Sequence, residues 1–352
     1  MQPFVYVGAP ARVIFGSGTL AQTGEEIERL GAKKALVLAT PFQKSDAEAL
    51  AGQLGGRAAG VFAGAAMHTP VDVTEAALAA VKETGADCTV ALGGGSTTGL
   101  GKAISWRTGL PQLVVPTTYA GSEMTPILGE TRDGLKTTFR DPKILPQTVI
   151  YDVDLTMSLP AALSATSGMN AIAHAVEALY ARDRNPIISL ASVDGIRALA
   201  SALPKIMANP SDKDARGDAL YGAFLCGMAL GAITMALHHK LCHVLGGTFD
   251  LPHAETHTVV LPHATAFNEH AVPELLAPVA QVLGARSAGQ GLFDLAQKLG
   301  APLRLADIGM KEEGLTKAAD IAVANPYWNP RDISRDEAYS VLENAFRGVR
   351  PG

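Results

Sequence analysis

The chain has 352 residues, of which 47% are apolar and 18% charged, and its formal net charge is -5. That length suits two domains, each with enough apolar content for a core of its own. Aromatic residues make up only 5%, and no Lys/Arg run exceeds Lys33-Lys34, which argues against a nucleic-acid-binding surface.

The first 158 residues alternate strand-like and helical runs. Arg12–Phe15 reads as a strand, Ala35–Ala39 as a buried strand, Ser45–Leu54 as a helix, Ala58–Phe62 as a strand and Val73–Thr84 as an Ala-rich helix. Cys88–Leu92, Leu113–Val115 and Thr148–Tyr151 continue the series as strands. Strand and helix in alternation predict an α/β layer with a largely parallel sheet. From Pro160 onward strand-like runs nearly vanish. Ala162–Ala181, Ile188–Met207, Arg216–His243, His253–Asn268, Pro273–Leu283, Gly289–Leu299, Leu315–Ala324 and Arg335–Phe346 all carry helical periodicity, separated by Pro and Gly. The expected organisation is an α/β domain over 1–158 and an α-helical domain over 159–352, with no internal repeat.

Ala219–Leu237 is 19 residues without a charge and carries a G-x-x-x-G pair at Gly227 and Gly231, long enough to cross a bilayer. Its Ala and Gly content, and its direct passage into a histidine-rich stretch, favour a buried central helix and no membrane contact. Cys88, Cys226 and Cys242 are odd in number and far apart, which predicts a reducing compartment. The first 16 residues lack a charged region followed by an apolar core, so a cytoplasmic protein is expected.

Two stretches carry chemistry. The strand ending at Leu92 runs straight into Gly93-Gly94-Gly95-Ser96, with a helix expected from Ser96 or Thr97. Glycines between strand and helix let backbone N–H groups approach a pyrophosphate, and the helix N-terminus adds dipole and donors. The next strand ends in Pro116-Thr117-Thr118-Tyr119-Ala120-Gly121-Ser122-Glu123, at the corresponding edge of the sheet, so both loops point to one nucleotide crevice. The second stretch, Leu237–His263, holds His238, His239, His243, His253, His257 and His263 out of nine histidines in the chain. His239 and His243 are four apart on a helix and share a face. That helix is expected to stop at Gly246-Gly247, with His253 opening the next one beside the first pair.

Together with Lys102, the Pro116-Thr117-Thr118 loop, the helix segment Ser167–Ala178 and Pro252-His253, these pieces resemble the iron-containing, group III alcohol dehydrogenase family over nearly the whole chain. The resemblance implies the dehydroquinate synthase-like fold, with an α/β dinucleotide-binding domain, an all-α catalytic domain and an active site in the cleft between them. Typical members hold Fe²⁺ or Zn²⁺ with one Asp and three His, and the matching positions here are Asn170, His174, His239 and His253. Asn170 is an uncharged amide and a poor transition-metal partner, so these positions read as vestigial and no metal is expected. Gly99 also stands where the family usually carries an acidic residue, and the PTTYAGSE loop is shorter than usual.

This combination is similar to a metal-free branch that reduces the conjugated C=C bond of maleylacetate, a small dicarboxylate, to 3-oxoadipate in the catabolism of hydroxylated aromatics. The resemblance implies NADH as cofactor, with NADPH the alternative, and it implies hydride addition that leaves an enolate. Without a metal, imidazoles are the natural donors. His253 and His243 are assigned as enolate donor and proton source, with His239 and His174 lining the same pocket. Gly93, Gly94, Gly95, Ser96, Thr117, Thr118, Thr40, Gln43 and Lys136 are assigned to the cofactor, and Tyr119, Asn170, Lys102 and Asn325 to the substrate. No acidic residue near Thr40 bars a 2′-phosphate. A homodimer is expected. A metal-dependent alcohol dehydrogenase and a dehydroquinate synthase-like lyase stay open as alternatives, and chelation separates the first of these from the metal-free reading.

Overall fold

The computed structural model describes residues 12–132 and 135–352, together with Phe4, Tyr6 and Gly8; the side chains of Leu135 and Lys136 lie outside the described residues. Gly8–Leu159 and Pro160–Gly352 are two compact units. The first is built on strands β1 (Arg12–Gly16), β2 (Ala35–Leu38), β3 (Ala58–Phe62), β4 (Cys88–Gly93), β5 (Gln112–Pro116), β6 (Ile127–Arg132), β7 (Leu135–Arg140) and β8 (Thr148–Asp152). Its helices are α1 (Thr23–Arg29), α2 (Lys44–Leu54), α3 (Val71–Thr84) and α4 (Gly95–Thr108).

Six strands form one parallel sheet in the order β1-β8-β5-β4-β2-β3. Alternation along β2 explains the layers. Val37 packs with Ile27, Leu50 and Leu54 of α1 and α2 on one face, while Leu36 and Leu38 pack with Ala77, Val81, Leu100 and Ile104 of α3 and α4 on the other. Because both faces are covered, β2 is apolar without interruption, β4 is apolar apart from Thr89, and both are buried throughout. The chain steps outward from β2 to β3, then returns to the other side of β2 for β4. The carboxyl ends of β2 and β4 therefore flank a topological switch point, where doubly wound sheets bind ligands. The β6–β7 antiparallel hairpin was not expected from the sequence; Leu128 and Phe139 face each other in it and pack on Ala103 of α4.

The second unit contains α5 (Ala161–Tyr180), α6 (Pro186–Ala208), α7 (Lys213–Ala232), α8 (Leu237–Phe249), α9 (His253–Glu269), α10 (Pro273–Leu283), α11 (Ala288–Lys298), α12 (Gly314–Ala324) and α13 (Arg335–Arg347). Starts are set by local caps: Asn185 accepts from Ile188 N, Asp212 from Ala215 N, and Ser334 forms a capping box with Glu337. One correction concerns Arg216–His243, expected as a single helix. It breaks at 233–236, and α7 and α8 meet at 94°. Two carboxylates from α5 and its end cause the break: Asp183 accepts from Thr234 N, and Glu177 accepts from Ala236 N at 2.9 Å and His238 N at 2.7 Å. They satisfy N–H donors in the connection and at the start of α8, which have no helical partner. A second correction is that α8 runs through Gly246-Gly247 to Phe249 and ends where Asp250 takes a left-handed conformation, φ 53°. Pro186–Ala208 is long and apolar enough to cross a membrane by itself; here it packs along α5 and α7.

Candidate active site

The turn after β4 is shaped by contacts that only glycine allows. Gly93 has φ 152°, and a Cβ there would lie 2.5 Å from Thr97 Oγ1 and 2.9 Å from Gln43 Oε1. Its register partner is Pro116, and Thr117 N donates to Gly93 O at 3.1 Å, which sets the hydroxyl loop beside the glycine loop. Gln43 Nε2 donates to Thr117 Oγ1 at 3.1 Å, and Thr40 Oγ1 donates to Gln43 Oε1 at 3.4 Å. Thr40, Gln43, Gly93–Ser96 and Thr117-Thr118 therefore meet at the carboxyl ends of β2, β4 and β5, with α4 starting at Gly95. Backbone donors at a helix start beside hydroxyls are what a pyrophosphate needs.

In the helical unit, Asn170, His174 and Glu177 follow one another at i, i+4 and i+7, a single stripe along α5. His239 and His243 occupy one face of α8, and His253 and His257 one face of α9. These stripes converge. His239 Nδ1 bonds Glu177 Oε2 at 2.7 Å, and His239 Nε2 bonds His174 Nδ1 at 3.0 Å, their rings stacked at 5.1 Å. The His257 ring lies 5.0 Å from that of His239 and 4.4 Å from that of His253. His174, His239 and His257 are buried, whereas His243 and His253 are exposed. Burial, reinforced by neighbouring imidazoles, lowers the His239 and His257 rings well below their ordinary range, so both are neutral near pH 7. Burial pushes the Glu177 carboxyl up, while the charge of His238 and the backbone donors at Ala236 and His238 pull it down. His243 Nδ1 bonds Tyr327 Oη at 2.9 Å, and Lys240 Nζ lies 5.4 Å from the centre of the Tyr327 ring.

Residues 10–153 match the family model described as iron-containing alcohol dehydrogenase, and 164–346 match the C-terminal model of the same family. The chain belongs to the iron-containing alcohol dehydrogenase family. It is 60% identical to the maleylacetate reductase of Rhizobium sp. (strain MTP-10005) over 351 residues, all of both chains, and 55% identical to that of Burkholderia cepacia over the same span. The crystal structure of maleylacetate reductase from Agrobacterium tumefaciens superposes with a TM-score of 0.97 at 60% identity, again covering both chains completely.

The residues at the family's metal-ligand positions do not fit a transition-metal dication. Asn170 presents a buried neutral oxygen, Oδ1, that accepts no hydrogen bond from any described residue. His174, His239 and His253 are neutral donors, so the four positions supply no anionic ligand. The set contains no anion to offset a buried double charge. Gly99, where the iron-containing dehydrogenases usually carry an acid, has no room for one: a Cβ would lie 2.4 Å from Thr69 Oγ1.

One substrate assignment needs correction. Lys102 is fully buried, and its Nζ donates to Ser122 O, Thr125 Oγ1 and Ile127 O, so it fastens the 122–127 segment and is not available to a substrate. Tyr119 is likewise fully buried in the α/β unit. Asn325 is exposed at the end of α12, while Asn329 makes the reciprocal amide pair with Asn268. Lys136 is part of β7, and its side chain lies outside the described residues. Glu177 and Tyr327 carry site contacts that sequence reasoning left unassigned. Glu177 was legible in principle, as the next residue of the Asn170–His174 stripe.

Proposed function

We infer that this protein reduces the C=C bond of maleylacetate with a reduced nicotinamide dinucleotide, giving 3-oxoadipate. The observation that carries the reading is the end-to-end identity of 55–60% with maleylacetate reductases. The Gly93 cradle and the Thr40, Gln43 and Thr117 network hold the dinucleotide in this proposal, NADH first and NADPH second, for want of an acid near Thr40. When bound, the nicotinamide supplies the hydride.

The helical unit's residues handle the charge that follows. Hydride addition to the carbon β to the ketone places negative charge on the ketone oxygen, and a proton must then reach the α carbon. His243 and His253 are the exposed members of the imidazole cluster and serve as donors to that oxygen and carbon. Tyr327 fixes the His243 ring through Nδ1. Lys240, held over the Tyr327 ring, offers a cation to a substrate carboxylate. His174, His239 and Glu177 form a hydrogen-bonded support, and no step runs through a metal.

The test follows NADH absorbance on mixing with maleylacetate, before and after exhaustive chelation, with metal counted per chain in the same sample. Oxidation indifferent to chelation is the expected result. Inert maleylacetate, together with a chelator-sensitive reaction of a simple alcohol with NAD⁺, would overturn the reading and make Asn170 a metal ligand.

A further inference from the structure

The helical unit contains a second set of donors that the reaction above does not use. His238 and Cys242 lie one turn apart on α8, and His257 lies on α9; all three are buried, and their donor atoms lie within 4.8 Å of one another. His238 Nε2 is 2.9 Å from His257 Nδ1 and 3.7 Å from Cys242 Sγ. None of the three is among the family's metal-ligand positions. Cys242 is a soft donor and the imidazoles are borderline donors, a combination that suits Zn²⁺ and excludes Mg²⁺ and Ca²⁺.

Three features favour a cation there. Zn–S near 2.3 Å and Zn–N near 2.0–2.1 Å put tetrahedral ligands roughly 3.3–3.6 Å apart, so the two imidazoles need to separate by only about 0.4 Å and the His238–Cys242 distance of 3.7 Å hardly changes. The outer nitrogens, His238 Nδ1 and His257 Nε2, have no partner among the described residues, so the ring proton that now joins the two inner nitrogens can move to an outer one at the cost of that single bond, which the metal replaces. Glu177 accepts the His238 backbone N–H at 2.7 Å, close enough for its charge to offset part of a bound dication, while burial and that same charge hold the Cys242 thiol protonated until a metal displaces the proton. One thiolate and one carboxylate cancel a dication, so no net charge is buried.

We propose that His238, Cys242 and His257 form a buried sulfur–nitrogen–nitrogen site for one zinc-class dication, clamping α8 to α9. Binding forms one metal–sulfur bond and two metal–nitrogen bonds and releases the Cys242 thiol proton to solvent. Nothing is oxidised or reduced.

Cobalt(II) is the probe, because its spectrum reports the ligands. The full-length protein is titrated with Co²⁺ both in its native state and during refolding from denaturant, so that a closed route to the site does not hide it. One Co²⁺ per chain is expected, with tetrahedral visible bands and a sulfur-to-cobalt charge-transfer band. Cys242→Ser should abolish the charge-transfer band, His257→Asn should weaken binding at least tenfold, and Cys88→Ser, Cys226→Ser and the exposed His253→Ala should leave the band intact. The proposal falls if Co²⁺ does not bind in either protocol, if it binds without the sulfur band, or if the band survives in Cys242→Ser. These readouts do not use maleylacetate, so they stand apart from the test of the reaction.

Discussion

Glu177 is the residue whose removal tests most directly how the helical site is built. It is fully buried and accepts three hydrogen bonds, from Ala236 N at 2.9 Å, His238 N at 2.7 Å and His239 Nδ1 at 2.7 Å. In Glu177→Ala all three donors lose their acceptor. Each unsatisfied buried donor costs about 1–3 kcal/mol, and the variant recovers part of that because it no longer buries a carboxylate. A net loss of about 3 kcal/mol is expected, which moves the melting midpoint of a unit of this size down by about 6–12 °C. Glu177→Gln keeps the shape and one accepting oxygen, but it turns an NH₂ toward a backbone donor. It should lose about 1–2 kcal/mol and sit between the other two. Thermal unfolding followed by far-ultraviolet circular dichroism reads this, with kcat measured on the same samples. If Glu177→Ala melts within about 1 °C of the native protein, the break between α7 and α8 does not depend on this carboxylate, and the account of how His239 is oriented fails.

Other outcomes follow from single contacts. Gly93→Ala pushes a Cβ to 2.5 Å from Thr97 Oγ1, and about 1–3 kcal/mol of strain should raise the KM for NADH about tenfold or more; an unchanged KM would remove this turn from the cofactor site. Tyr327→Phe deletes one bond to His243 at 2.9 Å, so kcat should fall about fivefold to tenfold with little change in melting, and equal kcat would count against His243 as a donor. Burial lowers the Lys102 ammonium to about 7 from 10.5, with Glu123 opposing. Between those pH values the unfolded chain binds the extra proton, so this group makes stability rise with pH, by up to about 1.4 kcal/mol per unit. Lys102→Met should flatten that rise in denaturant titrations run from pH 7 to 10. Asn170→Asp restores an anion among the histidines and should tighten Zn²⁺ at least tenfold in equilibrium dialysis while slowing metal-free reduction; unchanged binding would mean the amide is not what bars the metal.

Most helices and parallel strands were legible because their burial repeats every few residues: β3 and α10 appear with the bounds that composition and punctuation suggest. The β6–β7 hairpin was missed although its alternating runs flank Asp133-Gly134 in the sequence, a known hairpin signal. The α7–α8 break was not legible, because its cause is long-range: Glu177 and Asp183 reach Ala236, His238 and Thr234 from more than fifty positions away. Lys102 was misread for a related reason. A lysine in a motif suggests a ligand contact, and only the fold shows that backbone and hydroxyl oxygens of the 122–127 segment already surround it.

The same long-range bonds decide how the imidazoles of the helical unit are oriented. Both oxygens of Glu177 already accept backbone N–H groups, so the contact with His239 Nδ1 is one in which the ring donates. His239 is then neutral with a bare Nε2, and the 3.0 Å contact requires His174 Nδ1 to donate to it. A metal would need that His239 lone pair for itself. Glu177 thus orients the His239 ring, and Asn170, neutral and without a partner at Oδ1 among the described residues, adds no charge to draw an ion in. The exposed histidines, His243 and His253, stand outside this pair, and His243 is oriented by its own bond from Nδ1 to Tyr327 Oη at 2.9 Å.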